Sequence, residues 1–317
     1  MTVTAVIPLY NGRPLLAKLL ASLASQTRPF DRILVVDNGS TDGAPDLARA
    51  QGCTVLPLGR NMGFAAAVNH GWRAASSDWI AILNSDVELS PTWLQTCLNA
   101  KGNAAFLTGK LLQTSNTALL DGTYDLLSRA GCAWRAGNGQ PDSATQITPI
   151  ALAPATACLY RRSVLAQLQG FDESFGSYLE DVDLGLRAAR AGFSGLYVPA
   201  AIATHVGSAT FGPWNPRVVR LISRNQLLLI ARHYDRRLAR KWFWPILTGQ
   251  LLWGALALRH GTALAWLQGK RDGFRQFHWS TQPSHDIQRV IEASEAEIRR
   301  RASDFYWDCY FGLNGVL

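Results

Sequence analysis

Four strand-and-helix units follow one another in the first hundred residues, and this alternation restricts the chain to few architectures. The stretches VTAVIPL (3–9), RILVVD (32–37), CTVLPL (53–58) and DWIAILNSD (78–86) are apolar runs rich in β-branched residues. Helical spacing fills 14–25, 43–51 and 63–75 between them, and the Ser-Pro of SPTWLQTCLNA opens a fourth helix. Successive units of this kind cross over right-handed and build a parallel sheet. Ligands of such sheets bind beyond the carboxyl ends of the strands. At those ends stand Tyr10 and Asn11, Asp37 and Asn38, Arg60 and Asn61, then Asn84, Ser85 and Asp86. Any one of these pairs is ordinary turn chemistry. Four polar strand ends along one edge mark a binding rim.

Beyond residue 103 the pattern is looser. AAFLTGKLL and PATACLYRR read as strands, and RAGNGQPDSATQ (135–146) between them reads as a mobile loop. GLYVP and AIATHVG read as two short strands, the second carrying His205. Before them, FGSYLEDVDLGLRAARAGF (175–193) crowds Glu180, Asp181 and Asp183 at a helix start. Acidic residues in a first turn complement the helix dipole, and Asp183 is placed to pair with Arg187 four residues on. That leaves Glu180 and Asp181 for chemistry. Asp86 and His205 are suitable ligands for a divalent metal. Mg²⁺ is commonly held by one or two carboxylates and substrate phosphates, whereas Mn²⁺ accepts imidazole more readily.

Charge divides the chain. The net charge is +8, and much of the excess falls after residue 216. The uncharged stretch WFWPILTGQLLWGALAL (242–258) lies between basic clusters. It is short for a membrane span, which needs about 20 apolar residues. Two readings stay open: membrane surface contact through 235–275, or a hairpin helix buried in an ordinary core. No nucleic-acid motif accompanies the basic residues, so nucleic acid is not an expected partner. The five cysteines form no CxxC pair and read as reduced thiols. The opening MTVTAVIPLYNG is too short for a signal-peptide core. The expected location is cytoplasmic, at the inner face of the membrane if the basic tail is interfacial. Residues 211–317 read as mostly helical, RVVRLISRNQLLLIARHY (217–234) most clearly.

The motifs VIPLYNG, LLASLASQT, ILVVDNGSTDG, RNMGFAAAVNHG, ILNSDVEL, GFDESFGSYLEDVDLGLRAARAGF and VPAAIATHVGS occur in this order over residues 3–210. With them the chain resembles the family 2 glycosyltransferases of the GT-A fold, in the branch of rhamnosyl- and galactofuranosyltransferases that build bacterial polysaccharides. The resemblance implies an α/β catalytic domain over 1–210, a mixed and mostly parallel sheet flanked by helices, with a helical C-terminal extension over 211–317. The nucleotide-sugar half would cover about 1–100 and the acceptor half about 101–210. It implies an inverting, metal-dependent transfer from a nucleotide-diphosphate sugar, first dTDP-rhamnose, to a hydroxyl of a saccharide or lipid-linked acceptor.

By the same resemblance Pro8, Tyr10, Asp37 and Asn38 would line the nucleoside pocket, with Asn11 beside them. Asn61, Gly63, Phe64 and Asn69 would continue it toward ribose and diphosphate. Asp86 matches the last acid of the family's Asp-x-Asp motif, with Asn84 in place of the first and Ser85 between. His205 matches a late histidine that joins the metal, Mn²⁺ or Mg²⁺. Asp181 would be the general base, and Glu180 would position the acceptor. Asn38 stands where many relatives carry Asp. Two rivals are a nucleotidyltransferase and a sugar-nucleotide-binding protein without catalysis. The first expects a Gly- and Lys-rich phosphate loop where this chain has PLYNGRPLL, and the second is disfavoured by the acidic residues retained.

Overall fold

The alternation read in the sequence is realised strand by strand in the computed structural model, which describes residues 1–142, 145–207 and 214–315. Strands β1 (Val3–Leu9), β2 (Arg32–Asp37), β3 (Thr54–Pro57) and β4 (Trp79–Leu83) are parallel, in the spatial order β4-β1-β2-β3. Helices α1 (Arg13–Ala24), α2 (Ala44–Ala50) and α3 (Phe64–Ala74) connect them. Both faces of β1 are covered, which is why it lacks polar alternation. Val3, Ala5, Ile7 and Leu9 join the α1 leucines in one core cluster. Val6 faces α3, where Gly71 permits contact: a Cβ there would lie 2.3 Å from Val6 Cγ1.

The sheet then turns mixed. After β5 (Val87–Leu89) and α4 (Trp93–Ala100) come β6 (Phe106–Gln113) and β7 (Asn116–Gly122). Strand β11 (Ala157–Arg161) runs antiparallel between β4 and β6. Helices α5 (Arg162–Gln167) and α6 (Glu180–Arg190) lead to β12 (Gly195–His205), which is parallel to β6 and antiparallel to β5 and to β10 (Thr148–Ile150). Strands β1 to β4, β6 and β12 therefore all point one way, and their carboxyl ends share an edge. GLYVP and AIATHVG, read as two strands, are one. A register shift between Val198 and Ile202 takes up Pro199 within a continuous β12.

Contacts divide the chain into two compact units, Met1–Tyr124 with Gly137–Thr210, and Asp125–Ala136 with Phe211–Leu317. The sequence assigns 125–136 to the catalytic half, whereas the structure gives it to the second unit. There β8 (Asp125–Leu127) and β9 (Ala133–Arg135) form a hairpin held by α11 (His285–Arg301). Leu127 N donates to Ser294 Oγ (2.6 Å), and Arg129 binds both carboxylate oxygens of Glu295 (2.6 and 2.7 Å). The other helices of this unit are α7 (Pro216–His233), α8 (Arg236–Lys241), α9 (Phe243–Arg259), α10 (Ala263–Arg275) and α12 (Phe305–Asn314). Within the stretch read as a mobile loop, residues 137–142 are tied to β7 by Leu120 N to Gln140 O and Gly139 N to Leu120 O. Ser143 and Ala144 of that stretch, and Ser208 of the last motif, lie outside the described residues. All five cysteines are free thiols.

Candidate active site

The shared edge of the first unit gathers the polar strand ends. Asp37 Oδ1 accepts from Ser40 N (2.8 Å), Asn11 N donates to Ser40 Oγ (2.9 Å), and Asn11 Oδ1 accepts from Thr41 N (2.9 Å). These bonds lace the end of β1 to that of β2. Pro8 sits in β1 beside Val36, and Tyr10 is exposed at its end. Asn38 is buried and braces the next loop: its amide donates to Asn61 Oδ1 (3.3 Å) and Gly63 O (3.1 Å) and accepts from Met62 N (2.7 Å).

Gly63 is where the two halves of the rim meet. It has φ 91° and ψ 167°, a region open essentially to glycine alone. A Cβ there would stand 2.8 Å from Gly176 O. Ala65 N donates to that same carbonyl (2.9 Å), and Phe64 N donates to Ser177 Oγ (3.2 Å). The start of α3 is thereby fastened to the segment leading into α6. Asn69 has a different task from the one the resemblance implies. Its amide donates to Phe171 O and Glu173 Oε1 (both 2.8 Å) and accepts from Trp72 Nε1 (3.0 Å) and Phe171 N (2.9 Å). Two donors and two lone pairs are thus all engaged within the protein.

Asn84, Ser85 and Asp86 form the turn between β4 and β5. Asn84 N donates to Thr156 O (2.9 Å), fixing the turn to the start of β11, and Asn84 Oδ1 is buried with no hydrogen-bond partner among the described residues. A buried acceptor in this state costs about 1–3 kcal/mol unless a water or a ligand completes it. His205 ends β12 next to this turn, its Nε2 3.3 Å from Asp86 Oδ1. On the other side of the ring, Nδ1 lies 2.9 Å from Asp121 Oδ2.

Asp121 is a residue that sequence reasoning misses. The pairing of Leu111 with Gly122 and of Leu112 with Leu120 leaves it as the extra residue of a β-bulge, which re-aims its side chain. In sequence Asp121-Gly122 looks only like a turn pair. Burial pushes the His205 pKa down, but hydrogen bonds to Asp121 and Asp86, and their charges, raise it to about 9.

The third part of the rim is the start of α6. Tyr178 (φ 72°) and Leu179 (φ 67°) both adopt left-handed backbone, uncommon for residues of their size and a sign of local strain. This turn sets Glu180, buried, and Asp181, partly exposed, in the first helical turn. Asp181 Oδ2 accepts from Ala155 N (3.1 Å) and Oδ1 from Val182 N (2.9 Å). Because Thr156, the next residue, carries the carbonyl bonded to Asn84, one short segment links Asp181 to the Asp86 turn. Asp183 pairs with Arg187 at 2.7 Å, as the four-residue spacing predicts.

The residues fit a divalent metal. Among the described residues no group of three or more His, Cys, Asp and Glu forms a cage. Asp86 and His205 Nε2 instead present one carboxylate and one imidazole side by side, and Mg²⁺ or Mn²⁺ completes such a pair with substrate oxygens. Asp121 on Nδ1 is the outer carboxylate that commonly orients a metal-binding imidazole.

Comparison with known proteins identifies the family and the fold. The family model described as Glycosyl transferase family 2 matches residues 4–168. The N-acetylglucosaminyl-diphospho-decaprenol L-rhamnosyltransferase of Mycobacterium tuberculosis is 31% identical over 234 residues, covering 64% of this chain and 76% of that protein. Among solved structures, GalNAc-T7 with UDP, GalNAc and Mn²⁺ has a TM-score of 0.64 at 13% identity, over 94% of this chain. The chain spans 58% of that protein's length. A mannosyltransferase from Pyrobaculum calidifontis, in complex with GDP-Man and Mn²⁺, has a TM-score of 0.55 at 16% identity, over 99% of this chain and 86% of its own. At such identities the solved structures speak for the fold, the GT-A sheet flanked by helices. The sequence match runs from β1 through α5, and on that ground the chain belongs to glycosyl transferase family 2.

Proposed function

We propose that this glycosyltransferase moves a sugar, first of all rhamnose from a dTDP donor, to a hydroxyl of a lipid-linked or free saccharide, with inversion at the anomeric carbon. The observation that carries the reading is the pairing of Asp86 with His205 on the edge where Asp181 also stands. The donor lies over the strand ends, its nucleoside toward Pro8, Tyr10, Asn11, Asp37 and Asn38, and its diphosphate toward Asn61, Gly63 and the Asn84–Asp86 turn. Asn84 Oδ1 gains a partner from the donor. A divalent ion held by Asp86 and His205 supplies neutralisation of the charge that grows on the departing diphosphate.

In the transfer the acceptor oxygen attacks the anomeric carbon as the bond from that carbon to the phosphate oxygen breaks. The proton of the attacking hydroxyl passes to the Asp181 carboxylate, and the nucleoside diphosphate leaves. The transition state resembles an oxocarbenium ion, so negative charge nearby also stabilises it. Two backbone N–H donors hold Asp181 in place, and Glu180 beside it orients the acceptor. The preference for rhamnose follows the motif resemblance, and the mycobacterial relative, named as a rhamnosyltransferase acting on a decaprenol-linked sugar, supports it and a lipid-linked acceptor.

Calorimetric titration with dTDP, UDP and GDP, each with and without Mn²⁺, tests the site. Metal-dependent binding of dTDP above the other two is the expected result. Binding of another nucleotide replaces the donor, and no binding under any condition removes the transferase reading of this edge.

A further inference from the structure

We propose that the outer face of the α9–α10 hairpin docks on an anionic lipid bilayer, with both helices lying in the plane of the interface. The inner side of the hairpin is covered: α10 packs on α7, and α9 packs on α12, where Tyr306 Oη donates to Gly249 O (3.1 Å). Trp253 Nε1 donates to Ser223 Oγ (2.9 Å). A Cβ on Gly269 would stand 2.3 Å from Arg220 O, and one on Gly273 would stand 2.9 Å from Leu227 Cδ1, so α10 seats directly against α7 through its glycines. Gly249, Gly254 and Ala257 of α9 are buried as well.

The opposite side is apolar and uncovered. Trp244, Leu251 and Leu258 recur every seven residues along α9, which is one stripe of a helix. Leu264, Leu267 and Phe274 recur at three and seven along α10. Exposure across these six runs from 54% at Leu267 to 70% at Leu258. Exposed apolar residues scattered singly are normal, but two stripes on one hairpin are not.

Charge identifies the occupant. No Asp or Glu occurs between Asp235 and Asp272. Exposed Arg240 and Lys241 stand just before α9, Arg259 ends it, and exposed Arg271 and Arg275 flank Phe274 on α10. An apolar stripe with basic ends and an interfacial tryptophan matches acyl chains under anionic headgroups. A second copy of the same face would set these arginines against one another, which disfavours self-pairing. Spanning is excluded by size. Seventeen residues of α9 reach only ~26 Å, less than a bilayer core of about 30 Å. Among the described residues no helix is long and apolar enough to cross.

The proposal gives purpose to a lipid-linked acceptor but takes none of its support from that reading. Its test uses the full chain with vesicles of phosphatidylcholine alone and of phosphatidylcholine mixed with phosphatidylglycerol, followed by flotation. Binding to the mixed vesicles, weakened by salt, is expected. The variant Leu251→Glu/Leu258→Glu should weaken it by about tenfold or more, while melting temperature and dTDP binding stay unchanged. Arg271→Gln/Arg275→Gln should weaken the preference for anionic lipid and leave the fold intact. No flotation of the wild type, or flotation unaffected by the Glu variant, overturns the proposal. A dimer of the wild type that the Glu variant dissociates assigns the face to a second copy instead. Vesicle binding without nucleotide binding would leave this surface standing while the transferase reading fell.

Discussion

His205 is held from both sides of its ring, with Asp121 Oδ2 2.9 Å from Nδ1 and Asp86 Oδ1 3.3 Å from Nε2. If Nε2 takes the proposed metal, the contact with Asp121 would fix the remaining proton on Nδ1. Asp121 is therefore a positioning residue. Asp121→Asn should keep the fold and weaken Mn²⁺ binding about 10- to 100-fold, the usual cost of losing an outer carboxylate. Mn²⁺ titration followed by electron paramagnetic resonance, with dTDP present, measures this directly. Unaltered affinity would reduce Asp121 to a strand-bulge residue of no consequence for the metal.

Two neighbouring acids in α6 should separate cleanly on mutation. Asp181 accepts two backbone N–H bonds at the rim, whereas Asp183 is buried against Arg187. Asp181→Asn should bind donor normally and lose about 10²–10⁴-fold in turnover, as removal of a general base does. Asp183→Asn should lower stability by about 2–4 kcal/mol by breaking a buried ion pair. Urea titrations and steady-state rates on both variants check the assignment. Full turnover in Asp181→Asn would remove it as the base.

The legible parts of the molecule are those with local causes. The first four strands announce themselves by apolar runs, and the polar residues after each strand mark the rim before any contact is known. Asp183 and Arg187 follow from helix spacing alone. What stays hidden depends on distant partners. The β8–β9 hairpin looks like part of the catalytic half until Ser294 and Glu295 bind it, more than 150 residues on. Asp121 has no periodic signal because a bulge is an interruption of period. Pro199 makes one strand look like two, since proline is rare inside a sheet. Asn69 looks like a ligand contact because a saturated buried clasp and an open binding amide are the same residue type.

The joint between α3 and the α6 approach rests on Gly63. Any side chain there meets both a glycine-only backbone angle and the Gly176 carbonyl at 2.8 Å. Gly63→Ala should cost about 3 kcal/mol or more, combining backbone strain with displacement of the 176–177 segment. Nucleotide affinity should fall with it, because Asn61 and Gly63 share one hydrogen bond (3.0 Å). Thermal melting and dTDP titration of the variant test this together. An unchanged melting temperature would mean that the 176–177 segment shifts without cost.

Lys270 gives the second unit a characteristic response to pH. It is buried in α10, and Nζ donates to Ser223 O and Gln226 Oε1 (both 3.0 Å) and to Gln250 Oε1. No carboxylate is among these partners, and burial pulls its pKa from 10.5 down to about 7. Between those values the unfolded chain binds the proton more readily than the folded one, so stability rises with pH across that window. Below pH 7 both states are protonated and this dependence ends. The full effect is on the order of 5 kcal/mol. Lys270→Met removes the titrating group, at a pH-independent cost from the acceptors left behind. Denaturant unfolding of wild type and Lys270→Met from pH 6 to 10 should show a difference that grows in favour of the wild type as pH rises. A constant difference would mean that the three acceptors stabilise the ammonium as well as water does.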